Sequence, residues 1–84
     1  MEDGDSVVVD NATKIVISLF GGVTHYAAIN SKDLERVFGC TYGSGRYSRR
    51  LRKLKRVLVE EHGLILKRKT HRDKYPIRNS SIES

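Results

Sequence analysis

The sequence has few of the residues that hold small domains together covalently or through metals. It contains one cysteine, Cys40, and no tryptophan. A single cysteine cannot form an internal disulfide, and His25, His62 and His71 are not spaced as zinc ligands. We therefore expect no metal and no cofactor. We interpret Cys40 as a small, partly buried residue that follows a helix.

Long apolar segments are also missing. No run of 18 or more apolar residues is present, so no transmembrane helix is predicted. The acidic start, residues 1–5, and the lack of a small-residue cleavage site argue against a secretory signal. The sequence therefore favours a cytoplasmic, intracellular protein that is associated with the nucleoid if it binds DNA. No small-molecule ligand is evident.

No set of catalytic residues is recognisable. Glu60 and Glu61 are adjacent but lie on different faces of a helix, and no nucleophile with a partner base is visible. Residues 43–46 lack the Gly-Lys-Ser/Thr ending of a phosphate-binding loop. We therefore expect the protein not to be an enzyme.

Acidic residues are scarce in the second half of the chain. Residues 1–42 carry three basic and six acidic side chains, whereas residues 43–84 carry 13 basic and four acidic ones. The net charge of +6 thus divides into −3 and +9. Residues 46–56 alone contain seven basic residues and no acid. Such a field attracts polyanions, which predicts a nucleic-acid partner.

The 84 residues leave room for one domain. We assign residues 1–10 to a flexible N-terminal tail, 11–79 to the domain and 80–84 to a disordered C-terminal tail. A domain of this size is marginally stable alone, so a homodimer is expected on general grounds. The apolar residues of the first helix are the candidate partner surface: Ile15, Ile17, Leu19 and Phe20.

The first predicted helix begins after a cap at Asp10 or Asn11 and ends at Gly21-Gly22. Its apolar face combines Ile15, Val16, Leu19 and Phe20. A strand remains an alternative, because Ile15, Val16 and Ile17 are β-branched.

A short extended link, residues 23–30, leads to a second helix. Ser31 is the predicted N-cap, and Leu34, Val37 and Phe38 form the apolar stripe. Gly39 ends this helix, and residues 40–45 form a turn.

The strongest predicted helix covers residues 46–62. Ser44 is expected to cap it, and Gly63 is expected to end it. Tyr47, Leu51, Leu54 and Leu58 share one face. The opposite face carries four cations: Arg49, Arg52, Lys53 and Arg56.

Two strands and a basic turn follow. Residues 64–66 begin a strand that becomes basic at residues 67–69, and residues 71–74 are polar and turn-like. Residues 75–78 are expected to return as an edge strand, because Pro76 has no N–H for a central ladder.

This order of elements resembles the winged helix-turn-helix superfamily. The resemblance covers residues 11–79 and rests on residues 31–39, on the helix 47–61 and on its exit, residues 60–65. Arg72-Asp73 resembles the wing tip of MarR-type regulators, but the chain has no room for their extra dimerisation helices. The resemblance implies an α+β fold of three helices with a C-terminal two-strand wing, residues 64–79.

The resemblance and the charge pattern together imply a reader of double-stranded DNA. The major groove of B-DNA admits one α-helix, and the 46–62 helix would enter it. Its N-terminal half supplies the base-contact candidates: Arg46, Arg49, Arg50 and Lys53. The phosphate-contact candidates lie around them: Tyr42, Ser44, Ser48, Arg52, Lys55 and Arg56. The wing, on the backbone or in the minor groove, supplies Lys67, Arg68, Lys69, Arg72 and Lys74.

Sequence-specific DNA binding by a transcriptional regulator is therefore the leading hypothesis. Two alternatives stay open. One is an RNA-binding or ribosomal-type winged-helix protein, because the positive charge suits either polymer. The other is a winged helix that binds an acidic protein.

Overall fold

A computed structural model describes residues 3–21 and 27–79. The α+β class and three helices predicted from the sequence are confirmed, but the sheet has three strands rather than two. In chain order the elements are α1 (Asp3–Gly21), β1 (Ala27–Asn30), α2 (Ser31–Phe38), α3 (Gly45–Val57), a π-helical turn (Leu58–His62), β2 (Leu64–Leu66) and β3 (Lys74–Asn79).

Helix α1 begins at Asp3, well before the start expected after Asp10. The segment interpreted as a tail is therefore helical from residue 3. The run Val7-Val8-Val9 has low intrinsic helix propensity, so local sequence patterns do not predict a helix that begins at residue 3. Tertiary contacts override the propensity: Val9 is 4% exposed in the core, and the Asp5 carboxylate pairs with two arginines of α3.

The buried face of α1 also differs from the predicted one. Val9, Ala12 and Val16 recur at spacings of three and four and point into the core. Of the predicted apolar face only Val16 is fully buried, whereas Ile15 and Leu19, also named as candidate partner-surface residues, are 37% and 38% exposed. The buried face includes Val9, which the earlier helix start adds, and Ala12, which the predicted apolar face did not contain.

The sheet has the strand order β1-β3-β2 with both pairings antiparallel. Residues 27–30, expected only as a link, form β1 and pair with β3. The placement of residues 75–78 on an edge was therefore wrong, since β3 is the central strand. Pro76 fits there because its carbonyl accepts from the Lys67 N–H on the β2 side at 2.8 Å. The Pro76 nitrogen, which carries no hydrogen, faces the same side just beyond the end of β2. No backbone hydrogen bond to β1 is therefore lost.

Helix α2 is capped one residue earlier than predicted. Asn30, not Ser31, is the N-cap, and its side-chain oxygen accepts from the Lys32 N–H at 2.8 Å. Ser31 is buried instead, with 7% exposed. Gly39 ends the helix as expected, with φ of 73° in the left-handed region that glycine tolerates.

The core lies between the three helices and the sheet. Tyr47, Leu54 and Leu58 of the α3 segment are fully buried, which confirms three of the four predicted anchors; Leu51 is half-buried. They pack with Leu34 and Phe38 of α2, Ile29 of β1 and Ile77 of β3. Cys40 is half-buried at the edge of this cluster, as expected.

None of the helices within residues 3–21 and 27–79 combines the length and apolar character needed to cross a bilayer. The expected tail at residues 80–84 and the first part of the predicted link, residues 23–26, lie outside the described residues.

Candidate nucleic-acid interface

Helix α3 is fixed at its start by Ser44. The Ser44 Oγ accepts from the Tyr47 N–H at 3.1 Å and donates to the Thr41 carbonyl at 2.8 Å. The predicted cap is therefore confirmed. The single hydroxyl proton is already used, so Ser44 is poorly placed to donate to a phosphate as well.

Helical structure continues past Val57 through the π-helical turn and ends at Gly63, which has φ of 65° and donates to the Leu58 carbonyl. The predicted end is confirmed. Leu58 at the start of this turn and Leu64 at the start of β2 are both buried.

The solvent side of α3 carries three arginines, Arg49, Arg52 and Arg56, which we call the outer basic face. All three are exposed and recur at spacings of three and four, so they lie along one side of the helix. Arg52 and Arg56 form no ion pair within residues 3–21 and 27–79. Positive charge on this face is thus open to an external anion.

Arg50 lies in a different setting from the other base-contact candidates. Its side chain is only 13% exposed, and its Nε donates to Asp5 Oδ1 at 2.6 Å. Its Nη1 also donates to the Phe38 carbonyl at the end of α2. Arg50 therefore joins α1, α2 and α3 and is turned away from any groove that the outer face would enter.

Arg49 shares the same carboxylate but keeps much of its exposure. Its Nε lies 3.2 Å from Asp5 Oδ2, and 58% of its side chain is exposed. The hydrogen bond from Arg50, followed by the contacts with Arg49, holds the pKa of Asp5 below its usual value. Asp5 thus stays ionised at neutral pH and offsets part of the charge on this flank.

The remaining base-contact candidates lie apart from each other. Lys53 is half-buried and lines, with Ser6 and Asp10 of α1, a depression between α1 and α3. Arg46, in the first turn of α3, is exposed. The structure thus leaves Arg46 and Arg49 outward and brings Arg50 and Lys53 toward α1.

The loop between β2 and β3, residues 67–73, is tied to the body of the domain. The Asp73 carbonyl accepts from the Ser31 N–H at 2.8 Å, and Asp73 has φ of 61°. Lys69 Nζ lies 2.8 Å from Asp73 Oδ1, a pairing that raises the pKa of Lys69 and lowers that of Asp73. The predicted turn is present and held by these contacts.

The wing candidates differ accordingly. The Lys69 side chain is only 20% exposed, and its Nζ also lies 4.7 Å from the centroid of the Tyr42 ring. Lys69 therefore holds Asp73 and the Tyr42 ring in place, and its charge is largely used in these contacts. The other four candidates are exposed: Lys67, Arg68, Arg72 and Lys74.

Helix α3 and the loop converge on one depression of about 290 Å³, which we call the loop groove. Its walls come from Ser48 and Lys55 of α3 and from Arg68 and Lys69 of the loop. Tyr42 lies at its rim, and Tyr47 and Tyr75 lie beneath it. Basic residues of the helix and of the hairpin therefore occupy one continuous surface.

Two features of this surface were not predicted from the sequence. One is the pairing of Asp5 with arginines 44 and 45 residues later; the opposite charges of the two chain halves were the available signal. The other is the setting of Tyr42, whose N–H donates to Glu35 Oε2 at 2.7 Å and whose ring meets Tyr47 edge-on. Nothing local in the sequence reveals these partners.

No group of three or more metal-ligating side chains occurs within residues 3–21 and 27–79. Comparison of the chain with protein-family models, curated proteins and solved structures yields no significant match.

Proposed function

We propose that the chain is a winged-helix domain that binds double-stranded DNA, with the outer basic face of α3 in the major groove and the β2–β3 hairpin as the wing. The element order α-β-α-α-β-β with sheet order β1-β3-β2 supports this assignment. A transcriptional regulator with sequence preference is the role that such a domain would serve.

One observation carries the proposal. The helix face opposite the core is lined with arginines, and Arg52 and Arg56 lack acidic partners among the described residues. A solvated helix usually interleaves both signs of charge. Here Asp5 of α1 lies on the flank at Arg50, Asp10 pairs with Lys14 of its own helix, and the side of α3 away from the core stays basic.

The geometry revises the roles assigned from the sequence. Arg49 and Arg46 remain candidates for base edges, because both are exposed near the start of α3. Arg52 joins them, since it lies on the same outer face. Arg50 is assigned to the domain interior and Lys53 to the α1 flank.

The test is duplex binding of the variant Arg52→Gln/Arg56→Gln by fluorescence anisotropy at several salt concentrations. Glutamine keeps helix propensity and a polar, unbranched side chain, although a shorter one, while it removes the charge. The matched control is Lys14→Gln/Arg36→Gln, which removes two exposed charges from α1 and α2. We expect the first variant to weaken binding about 10- to 100-fold and to reduce the salt slope by about 1–2.

The control variant should bind nearly as the wild type does. Equal losses in both variants would mean that only net charge matters, which contradicts a defined interface. Competition by RNA or random duplex at equal strength would favour an RNA-binding or architectural protein. Affinity that ignores salt would favour an acidic protein partner.

A further inference from the structure

The loop groove combines cationic side chains, the Ser48 hydroxyl and the exposed Tyr42 ring. Lys55 and Arg68 form no ion pair within the described residues, and both line the groove. The Ser48 hydroxyl lines the same wall and makes no hydrogen bond within those residues. Two cations and a free donor therefore surround one depression.

The nearby acids are already engaged. Glu35 Oε2 accepts from the Tyr42 N–H, and Asp73 Oδ1 pairs with Lys69 Nζ. The Lys69–Asp73 pair is neutral as a unit, and the single Glu35 carboxylate does not match the two cations Lys55 and Arg68, so the groove keeps a net positive charge. The groove thus favours an anion.

The floor of the groove strengthens this preference. Tyr47 and Tyr75 are buried, and their hydroxyl oxygens lie 3.1 Å apart. These uncharged, weakly polar side chains beneath the cationic rim screen its charge less than water would. An anion in the groove is therefore attracted more strongly than one on an open surface.

Tyr42 is held in place although it is exposed. Its backbone is bound by Glu35 of α2, its ring meets Tyr47 of α3 at 5.4 Å and Lys69 of the loop lies over it. The residue nevertheless remains 55% exposed. Three elements thus present one fixed aromatic ring at the rim, at little further entropic cost on binding.

We propose that the loop groove holds one backbone phosphate of a nucleic-acid strand, with Ser48, Lys55 and Arg68 on the phosphate and the Tyr42 ring against the adjoining sugar. This assignment rests on the proposed function. The groove is continuous with the outer basic face through Ser48 and Arg52 of α3, so a strand that meets one also reaches the other. Arg50 and Lys53 lie outside this path.

The experiment measures salt-dependent duplex binding of Lys55→Gln/Arg68→Gln beside wild type and Lys14→Gln/Arg36→Gln. Loss of one phosphate contact reduces the salt slope by about 1. We expect that reduction in the groove variant and not in the control. Circular dichroism and thermal melting verify that each variant is folded.

The ring is tested separately by Tyr42→Phe and Tyr42→Leu. We expect Tyr42→Phe to bind as the wild type does, and Tyr42→Leu to bind about three- to tenfold more weakly with an unchanged salt slope. In the Lys55→Gln/Arg68→Gln background, Tyr42→Leu should have little further effect, because the sugar is no longer held beside the ring.

The two proposals fail differently. A wild-type protein with no salt-dependent duplex binding would overturn the proposed function. Wild-type binding that is sensitive to Arg52→Gln/Arg56→Gln but retains its full salt slope in Lys55→Gln/Arg68→Gln would overturn the groove assignment alone. Fully additive effects of the ring and charge variants would also overturn it.

Discussion

The buried tyrosine pair offers the most quantitative test of the packing between α3 and the sheet. Tyr47 and Tyr75 are 1% and 3% exposed, and their hydroxyl oxygens are 3.1 Å apart. Replacing one with phenylalanine leaves the other hydroxyl buried without this partner. That loss costs about 1–3 kcal/mol, whereas removal of both hydroxyls from a well-packed site is nearly neutral.

We therefore expect Tyr47→Phe and Tyr75→Phe each to lower the free energy of unfolding by about 1–3 kcal/mol. The double variant should lose less than the sum of the two. Urea denaturation followed by circular dichroism at pH 7 measures all four proteins. Strict additivity would mean that the two hydroxyls do not interact in the folded protein.

The same pair predicts a dependence on alkaline pH. Burial raises the pKa of both Tyr47 and Tyr75 above the ordinary value. Below about pH 9 both tyrosines are protonated in the folded and unfolded chains, so they add no pH dependence. Above about pH 10 the unfolded chain releases these protons more readily than the folded chain does, so the free energy of unfolding falls as the pH rises.

The double variant Tyr47→Phe/Tyr75→Phe lacks both groups and serves as the control. We expect its unfolding free energy to fall less steeply between about pH 9.5 and 11 than that of the wild type. Parallel pH profiles for the two proteins would refute the account of this buried pair.

Two further predictions concern the core and the link between α1 and α3. Leu54→Ala should lower the unfolding free energy by about 2–5 kcal/mol in urea denaturation, because Leu54 is 0% exposed; Lys14→Ala on the exposed side of α1 is the control, and equal costs would contradict the burial. Asp5→Asn should lower the melting temperature at pH 7 and much less below about pH 3, because the lowered pKa of Asp5 gives stability above the unfolded value of about 3.9 that is lost in acid. If the difference in melting temperature between wild type and Asp5→Asn were the same at pH 7 and in acid, the charge of the carboxylate would not be what Arg50 binds.

The helices were predictable where the signal is local. Ser44 and Gly63 bound the long basic helix through its caps, and the spacing of Tyr47, Leu54 and Leu58 defines its buried face. These features depend on neighbours within one or two turns, which a sequence pattern records directly.

The sheet and α1 were harder because their determinants are distant in sequence. Strand β1 has four residues and exists through its pairing with β3, more than 40 residues later. The central position of β3 depends on Pro76 lying where the β2 ladder ends, which no local rule gives. The early start of α1 similarly depends on Asp5 meeting α3.

The candidate site was only partly predictable. The sequence identified the basic helix and hairpin through charge alone, and it named Tyr42, Ser48, Lys55 and Arg68 without showing that they meet. It assigned Arg50 to base contacts, although its guanidinium is bound by Asp5 and the Phe38 carbonyl. Helical periodicity separates a buried from an exposed side, but it does not show which flank a neighbouring acidic helix covers.

The most direct test of the central claim is a map of backbone amide shifts as a duplex of about two helical turns is added to the labelled protein. We expect the changes to concentrate in residues 46–56 and 67–72, with residues 13–19 of α1 unaffected. Changes centred on α1 and α2, or none at low salt, would contradict the assignment of the α3–hairpin surface as the DNA interface.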